Sequence, residues 1–241
     1  MTAPRLEPMP EDWSRGLAVV AHPDDLEYGA SSAVARWTDQ GRDVAYLLAC
    51  RGEAGIDSLP PAECGPLREA EQRAAAAAVG VSVVEFLDGH PDGLIEYGIP
   101  LRRDIAAAIR RHRPELVVTG NLHETWFGGG GRNMADHIAV GRACVDAVRD
   151  AANRWLFSEL GEPWGGVRWV AVAGSPLSGH GVVVDDHIDR GIASLAAHRT
   201  YLAALGGDMA DPGAFLREHA AAAAERLPGA RFAATFELIP V

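Results

Sequence analysis

The sequence predicts an α/β fold, in which helices cover both faces of a mainly parallel sheet, and two observations carry that reading. Short runs of consecutive apolar residues alternate along the chain with longer segments of helical period. The apolar runs are also nearly continuous, as expected of strands buried on both faces. The first run, from Gly16 to Ala21, is read as strand 16–21, and helix 30–40 follows it. Strand 43–49, helix 67–79, strand 82–87, helix 100–113 and strand 115–119 continue the alternation. Helix 136–152 begins after a glycine-rich loop and carries Ile138, Val140, Ala143, Cys144, Ala147 and Val148 at helical spacing. Strand 168–173 and helix 186–205 come next, and 230–239 is read as a terminal strand. Pro163 to Gly166 and the Gly- and Ser-rich stretch 174–184 read as loops or a small insertion near the mouth of the site. Ala74 to Ala78 and Ala220 to Ala224 are alanine-rich helix without functional meaning. This order of elements is Rossmann-like and places the loops after successive strands along one edge, at the carboxyl ends of the strands.

Composition narrows the class further. A chain of 241 residues with 48% hydrophobic content suits one large domain with a substantial core. A formal charge of −11 without runs of Lys or Arg argues against nucleic acid or an anionic membrane as partner, and favours a neutral or cationic small molecule. The segment Met1 to Arg15 has no apolar stretch of the signal-peptide type, and no run is long enough to span a bilayer, so a cytoplasmic location is expected. Cys50, Cys64 and Cys144 lack paired Cys-x-x-Cys spacing and are read as reduced residues without a metal role, Cys50 and Cys144 as small core residues. Homo-oligomerisation is left open.

The chemistry concentrates at His22-Pro23-Asp24-Asp25, directly after the first strand. Pro23 fixes its own φ and pushes His22 toward an extended conformation, so an imidazole and two carboxylates fan out from one turn. Imidazole nitrogen and carboxylate oxygen together suit Zn²⁺, with three protein ligands and a fourth position left for water. The plainer reading is a loop whose Asp caps the next helix. A third ligand is suggested at His137, where Asp136 can orient a metal-binding ring or cap the helix start; a solvated helix start is the alternative.

With these residues in view, the chain resembles the LmbE-like, or PIG-L, family of metal-dependent N-deacetylases. The resemblance rests on Ala21-His-Pro-Asp-Asp-Leu-Glu27, Arg51-Gly-Glu-Ala-Gly55, Arg68-Glu-Ala-Glu71, Asp92-Gly93 and Asp136-His137, in order over roughly 15–200. It implies a single LmbE-like domain over 1–241, with a core of about 15–200 and a C-terminal extension at 206–241. It further implies that His22, Asp25 and His137 bind zinc and that Asp24 is the general base. Two departures stand out. Met134 occupies the position where the family has a histidine that helps stabilise the tetrahedral intermediate, so a substitute donor is expected from Asn133, His123 or His180. Ser31-Ser32 replaces a common glycine pair, read as a packing change at the first helix.

Substrate contacts are expected from Glu53, an acceptor for sugar hydroxyls, and from Arg68, read as opening a helix with a forked donor or as pairing with Glu69 or Glu71 on an exposed face. By position Asp92 resembles a substrate-binding Asp of the family. Asn121, His123, Trp126 and Phe127 precede the four glycines Gly128 to Gly131, read as a mobile lid, and the aromatic rings either stack on a sugar or anchor the loop. His198 is read as structural. The leading expectation is zinc-dependent removal of an N-acetyl group from an N-acetylglucosamine-like sugar or glycoconjugate. One alternative is an amidase or deacylase for a larger conjugate, with Trp126, Phe127, Trp155, Phe157 and Trp164 lining an apolar channel. The other is a catalytically silent metal- or sugar-binding module.

Overall fold

The computed structural model describes residues 4–126, 131–205 and 207–241. Its sheet has eight strands, β1 (Glu7–Pro8), β2 (Arg15–Val20), β3 (Asp43–Leu48), β4 (Val83–Phe86), β5 (Leu116–Thr119), β6 (Trp169–Ala173), β7 (His180–Val183) and β8 (Ala233–Pro240). Their spatial order is β1-β7-β8-β6-β5-β2-β3-β4, and the run from β6 to β4 is entirely parallel. β2 lies between β3 and β5, so the chain builds first to one side of β2 and then to the other. The crevice at such a reversal, outside the carboxyl ends of the strands, is where open α/β sheets bind ligands.

The apolar runs behave as their continuity predicts. On β2, Ala18 and Val20 join a core with Ala33, Val34 and Trp37 of α2 (Ser31–Asp39). Leu17 and Val19 face the other way, into a core with Leu101, Ile105 and Ile109 of α4 (Ile99–His112) and with Val140, Ala143 and Val148 of α5 (Ala135–Ala152). Successive strand residues point to opposite faces, so one apolar strand feeds two cores.

Four elements differ from the sequence reading. The helix expected at 30–40 is preceded by a separate turn of helix, α1 (Asp25–Gly29). The helix expected from 67 is α3 (Pro61–Ala78), six residues longer at its start. Pro61 occupies the first helical position, where no N–H bond is needed, and Pro66 sacrifices one bond in the second turn without ending the helix. The helix expected at 186–205 is broken around Ala196–His198 into α6 (Ile188–Leu195) and α7 (Arg199–Leu205). The stretch 174–184, expected as loop, contains β7, a strand of only four residues with a glycine inside it.

β8 is the expected last strand of the chain, and in the sheet it takes an internal place. It follows α8 (Pro212–Ala224) and runs antiparallel between β6 and β7, with Phe236 paired to Ala173 on one side and His180 on the other. The serines at the start of α2 are accommodated from α6: a Cβ on Gly191 would collide with Ser32, so the glycine permits the close approach. No helix among the described residues is long and apolar enough to cross a membrane.

Phe236 is fully buried, with its ring 5.8 Å from that of Trp37. Phe236→Ala is expected to lower unfolding free energy by about 3–5 kcal/mol in a urea titration. A loss below about 1 kcal/mol would show that β8 does not fold with the rest of the sheet.

Candidate metal centre and catalytic edge

β2 delivers the first group of side chains. Asp25 starts α1, and its Oδ2 accepts from the backbone N–H of Ala21 at 3.0 Å and of His22 at 2.9 Å. This folds the carboxylate back under the turn and leaves Oδ1 3.0 Å from His137 Nε2. His22 Nδ1 lies 3.2 Å from the same nitrogen and 3.7 Å from Asp25 Oδ2.

The outward nitrogens fix the tautomers. His22 Nε2 is 3.0 Å from Asp92 Oδ1 and 3.2 Å from Asp136 Oδ2, both acceptors, so it carries the proton. His137 Nδ1 is 3.1 Å from Asn133 Oδ1. The Asn133 amide cannot be flipped, because its Nδ2 donates to Asn121 O at 2.7 Å and to His123 O at 3.0 Å. His137 Nδ1 therefore also carries a proton. In the neutral form of both rings, two imidazole lone pairs and a carboxylate oxygen converge on one point. Bonds of about 2.0–2.1 Å to a tetrahedral ion imply donor separations of about 3.3 Å, close to those found, so the residues fit a divalent metal. Among the described residues, two groups could hold an ion: His22, Asp25 and His137, and His22, Cys50 and Asp92.

The surrounding carboxylates favour positive charge at this point, which either a protonated ring or a bound cation supplies. Burial opposes protonation of His22, yet hydrogen bonds to Asp136, Asp25 and Asp92 raise its pKa well above the usual imidazole value. Burial likewise works against ionised Asp25, but His137 and His22 hold its carboxyl well below the usual range. Asp24 differs from its neighbour: burial pushes it up to about 7, against the opposing pull of the Arg68 guanidinium.

Asp24 is held from three sides. Its backbone has φ 92° and ψ −22°, a left-handed conformation costly for a residue other than glycine. Gln72 Oε1 accepts from Asp24 N–H at 3.0 Å. Arg68 Nη2 stands 3.4 Å from Asp24 Oδ1 and donates to Pro23 O at 2.6 Å, while Nη1 donates to Gly52 O at 3.0 Å. The guanidinium lies 4.2 Å over the Tyr201 ring, and burial together with the nearby Asp24 charge raises the Tyr201 pKa. Behind Gln72 lies Glu27, whose Oε1 accepts from Gln72 Nε2 at 3.0 Å, and His198 Nε2 stands 3.7 Å from Glu27 Oε2 with both side chains fully buried.

Several expectations are corrected by these contacts. Arg68 neither opens a helix nor pairs on an exposed face; it sits inside α3, 3% exposed, and its contacts hold the Asp24 turn and Gly52. Asp136 orients His22 rather than its neighbour His137, and it also accepts from Gly93 N–H at 2.7 Å and Ile95 N–H at 3.2 Å. Asn133 has both amide hydrogens committed to carbonyls and cannot serve as the substitute donor. His180 opens β7, separated from β6 by β8, and bonds to none of the converging groups among the described residues. Met134, expected beside the metal, is 53% exposed, and its backbone N–H is bonded to Asn133 Oδ1.

The remaining residues fall on the same edge. Glu53 braces two loops, accepting from Asp92 N–H at 3.0 Å and Arg51 N–H at 3.2 Å. His123 Nε2 is paired with Glu237 Oε2 of β8 at 2.7 Å, and Ser175 donates to the same oxygen at 2.6 Å. Trp126 stands edge-on to His137, with ring centroids 5.5 Å apart. Phe127 and Gly128 to Gly130 lie outside the described residues. Trp155, Phe157 and Trp164 follow the far end of α5, and Trp164 Nε1 donates to Pro114 O just before β5. They belong to the opposite end of the sheet and line no channel at this edge. The sequence reading missed Gln72 and Tyr201; one signal for Gln72 was its spacing of four from Arg68, on the same helix face.

An α/β sheet with a His and Asp cluster able to hold a metal at its switch point is the class that these features define. Residues 17–148, more than half of the chain, match the PIG-L family model described as GlcNAc-PI de-N-acetylase, and the chain belongs to that family. It is similar to a Rhodococcus erythropolis protein named 1D-myo-inositol 2-acetamido-2-deoxy-alpha-D-glucopyranoside deacetylase, with 32% identity over 181 residues. That match covers 62% of this chain and 58% of the relative, so the chain spans less than two thirds of the relative's length. Among solved structures, N,N'-diacetylchitobiose deacetylase from Pyrococcus horikoshii superposes with a TM-score of 0.83 at 22% identity, over 95% of this chain and 85% of that one. The 4-carboxy-2-hydroxymuconate hydratase of Pseudomonas putida KT2440 has a TM-score of 0.73 at 17% identity, over 94% and 96%. At such identities the likeness shows the fold, and the second of these names a different reaction on it.

If the outward partners set the tautomers, Asp136→Asn and Asn133→Ala are each expected to weaken metal binding by about 10–100-fold against a competing chelator. Unchanged affinity in both variants, with circular dichroism unaltered, would overturn the assignment.

Proposed function

We propose that this protein is a zinc-dependent hydrolase that removes an N-acetyl group from an N-acetylglucosamine-like sugar or sugar conjugate in the cytoplasm. The observation that carries the reading is the convergence of two imidazole nitrogens and a carboxylate oxygen beside a separate carboxylate, Asp24, which is not among them. His22, Asp25 and His137 would hold the metal. When bound there, Zn²⁺ supplies Lewis-acid polarisation of the amide carbonyl and lowers the pKa of water. The names of the curated relatives support an N-acetylated amino sugar as substrate.

The chain's own residues supply the proton transfers and the positioning. Asp24, buried and pushed up to about 7, accepts a proton from the attacking water and returns it to the departing nitrogen. Arg68, Gln72 and Tyr201 keep that carboxylate at one place, which general acid–base chemistry requires. Asp92 and Glu53 face the sugar hydroxyls, and Trp126 closes the side next to His137. His123, oriented by Glu237, is the remaining candidate among the three donors expected to replace the histidine absent at Met134. Its Nδ1 has no hydrogen-bond partner among the described residues.

Acetate release from a panel of N-acetylated amino sugars and their conjugates tests the reading directly. Asp24→Asn is expected to keep the metal and lose turnover by about 10²–10⁴-fold, whereas Asp25→Ala loses the metal itself. Equal metal loss in the two variants would reverse the division of roles. No acetate from any member of the panel by the zinc-loaded protein would reject the activity.

A further inference from the structure

His22 has two nitrogen faces, and the triad with Asp25 and His137 uses only one. The other, Nε2, looks toward the loops after β3 and β4. There Cys50 Sγ and an Asp92 carboxylate oxygen lie with a His22 ring nitrogen, all within 4.8 Å of one another. Asp136 Oδ2 is also 3.2 Å from Nε2. Each group is pinned without the others' help. Gly52 N–H donates to Cys50 Sγ at 3.3 Å, and Ala54 N–H donates to Asp92 Oδ2 at 2.8 Å, which leaves Asp92 Oδ1 facing the imidazole. The Cys50 residue is 2% exposed, at the edge of the core just after β3, and its thiol hydrogen-bonds Ala21 O at 3.3 Å, beside the turn that carries His22. Sulfur, imidazole nitrogen and carboxylate oxygen together are the donors that soft and borderline divalent cations select. The sequence shows no Cys-x-x-Cys signal because the donors come from three separate loops.

We propose that Cys50, Asp92 and the Nε2 face of His22 form a second cradle for a thiophilic divalent cation, cadmium or surplus zinc, and that filling it switches off the first. The proposal rests on the reading of His22, Asp25 and His137 as the catalytic metal site. A neutral imidazole has one lone pair. Coordination through Nε2 places the ring proton on Nδ1, the nitrogen that the catalytic site needs as a donor. It also draws Asp92 away from the substrate. The two cradles therefore exclude each other, and this chain is inhibited by soft cations through a cysteine.

The test titrates Cd²⁺ into protein loaded with one equivalent of Co²⁺, following activity, the visible cobalt spectrum and the near-ultraviolet sulfur-to-cadmium charge-transfer band together. Wild-type protein is expected to develop the band as activity and the cobalt spectrum fade. In Cys50→Ala and Cys50→Ser the band should be absent and the inhibition curve displaced by at least about tenfold, each variant being referred to its own uninhibited rate. In His137→Ala, which breaks the catalytic triad, the band should persist. A wild-type titration without the band would overturn the proposal, as would Cys50 variants inhibited like wild type, or tight binding of both ions with full activity retained. Failure of the catalytic reading would look different: no acetate release and no dependence of cobalt binding on Asp25, with the Cys50 band still decided on its own.

Discussion

The carboxylate of Asp136 is the contact on which the catalytic edge depends. It accepts from His22 Nε2 and from the backbone N–H groups of Gly93 and Ile95, so one buried side chain at the start of α5 joins the loops after β2 and β4. Remove those acceptor atoms and Asp92 Oδ1 alone is left to hold the His22 proton outward, on a loop that has itself lost its tie to α5. Asn133 does the same for His137 from one turn earlier, and its amide also ties down the loop after β5. The donors converge because groups that never touch the metal position have already chosen which nitrogen is free. A buried polar network of this kind is costly when partly satisfied and rigid when complete, which suits a site that must not rearrange when an ion arrives.

Asp24 and Asp25 show how environment divides two adjacent identical side chains. Asp25 is drawn into the imidazole pair and held ionised. Asp24, one residue earlier, faces α3 and α7, where burial outweighs Arg68 and raises its pKa. Paired acids whose surroundings separate their pKa values are the usual sign of separate roles.

Much of this was legible in the sequence. The parallel strands were visible as continuous apolar runs, and the motif from His22 to Asp25 together with His137 marked the residues that the fold brings together. What escaped was set by tertiary contact. Arg68 read as a surface or substrate-facing guanidinium because nothing local announces that α3 begins at Pro61 and turns that position inward. Asn133 read as a free donor because its carbonyl partners lie ten and twelve residues away. β7 is too short and glycine-containing to signal a strand, and it exists because β8 offers it a ladder. β8 in turn lies outside the segment 17–148 that matches the family model, yet it brings Glu237 to His123 at the catalytic edge.

The left-handed backbone at Asp24 has a consequence for how this protein can change. A glycine there would relieve conformational strain on the order of 1 kcal/mol and so make the folded chain more durable, while removing the carboxylate proposed as the base. Any search that rewards only thermal endurance will therefore tend to discard this carboxylate. Sequences that keep Asp at this position accept a less stable turn in exchange for a buried carboxylate with a raised pKa.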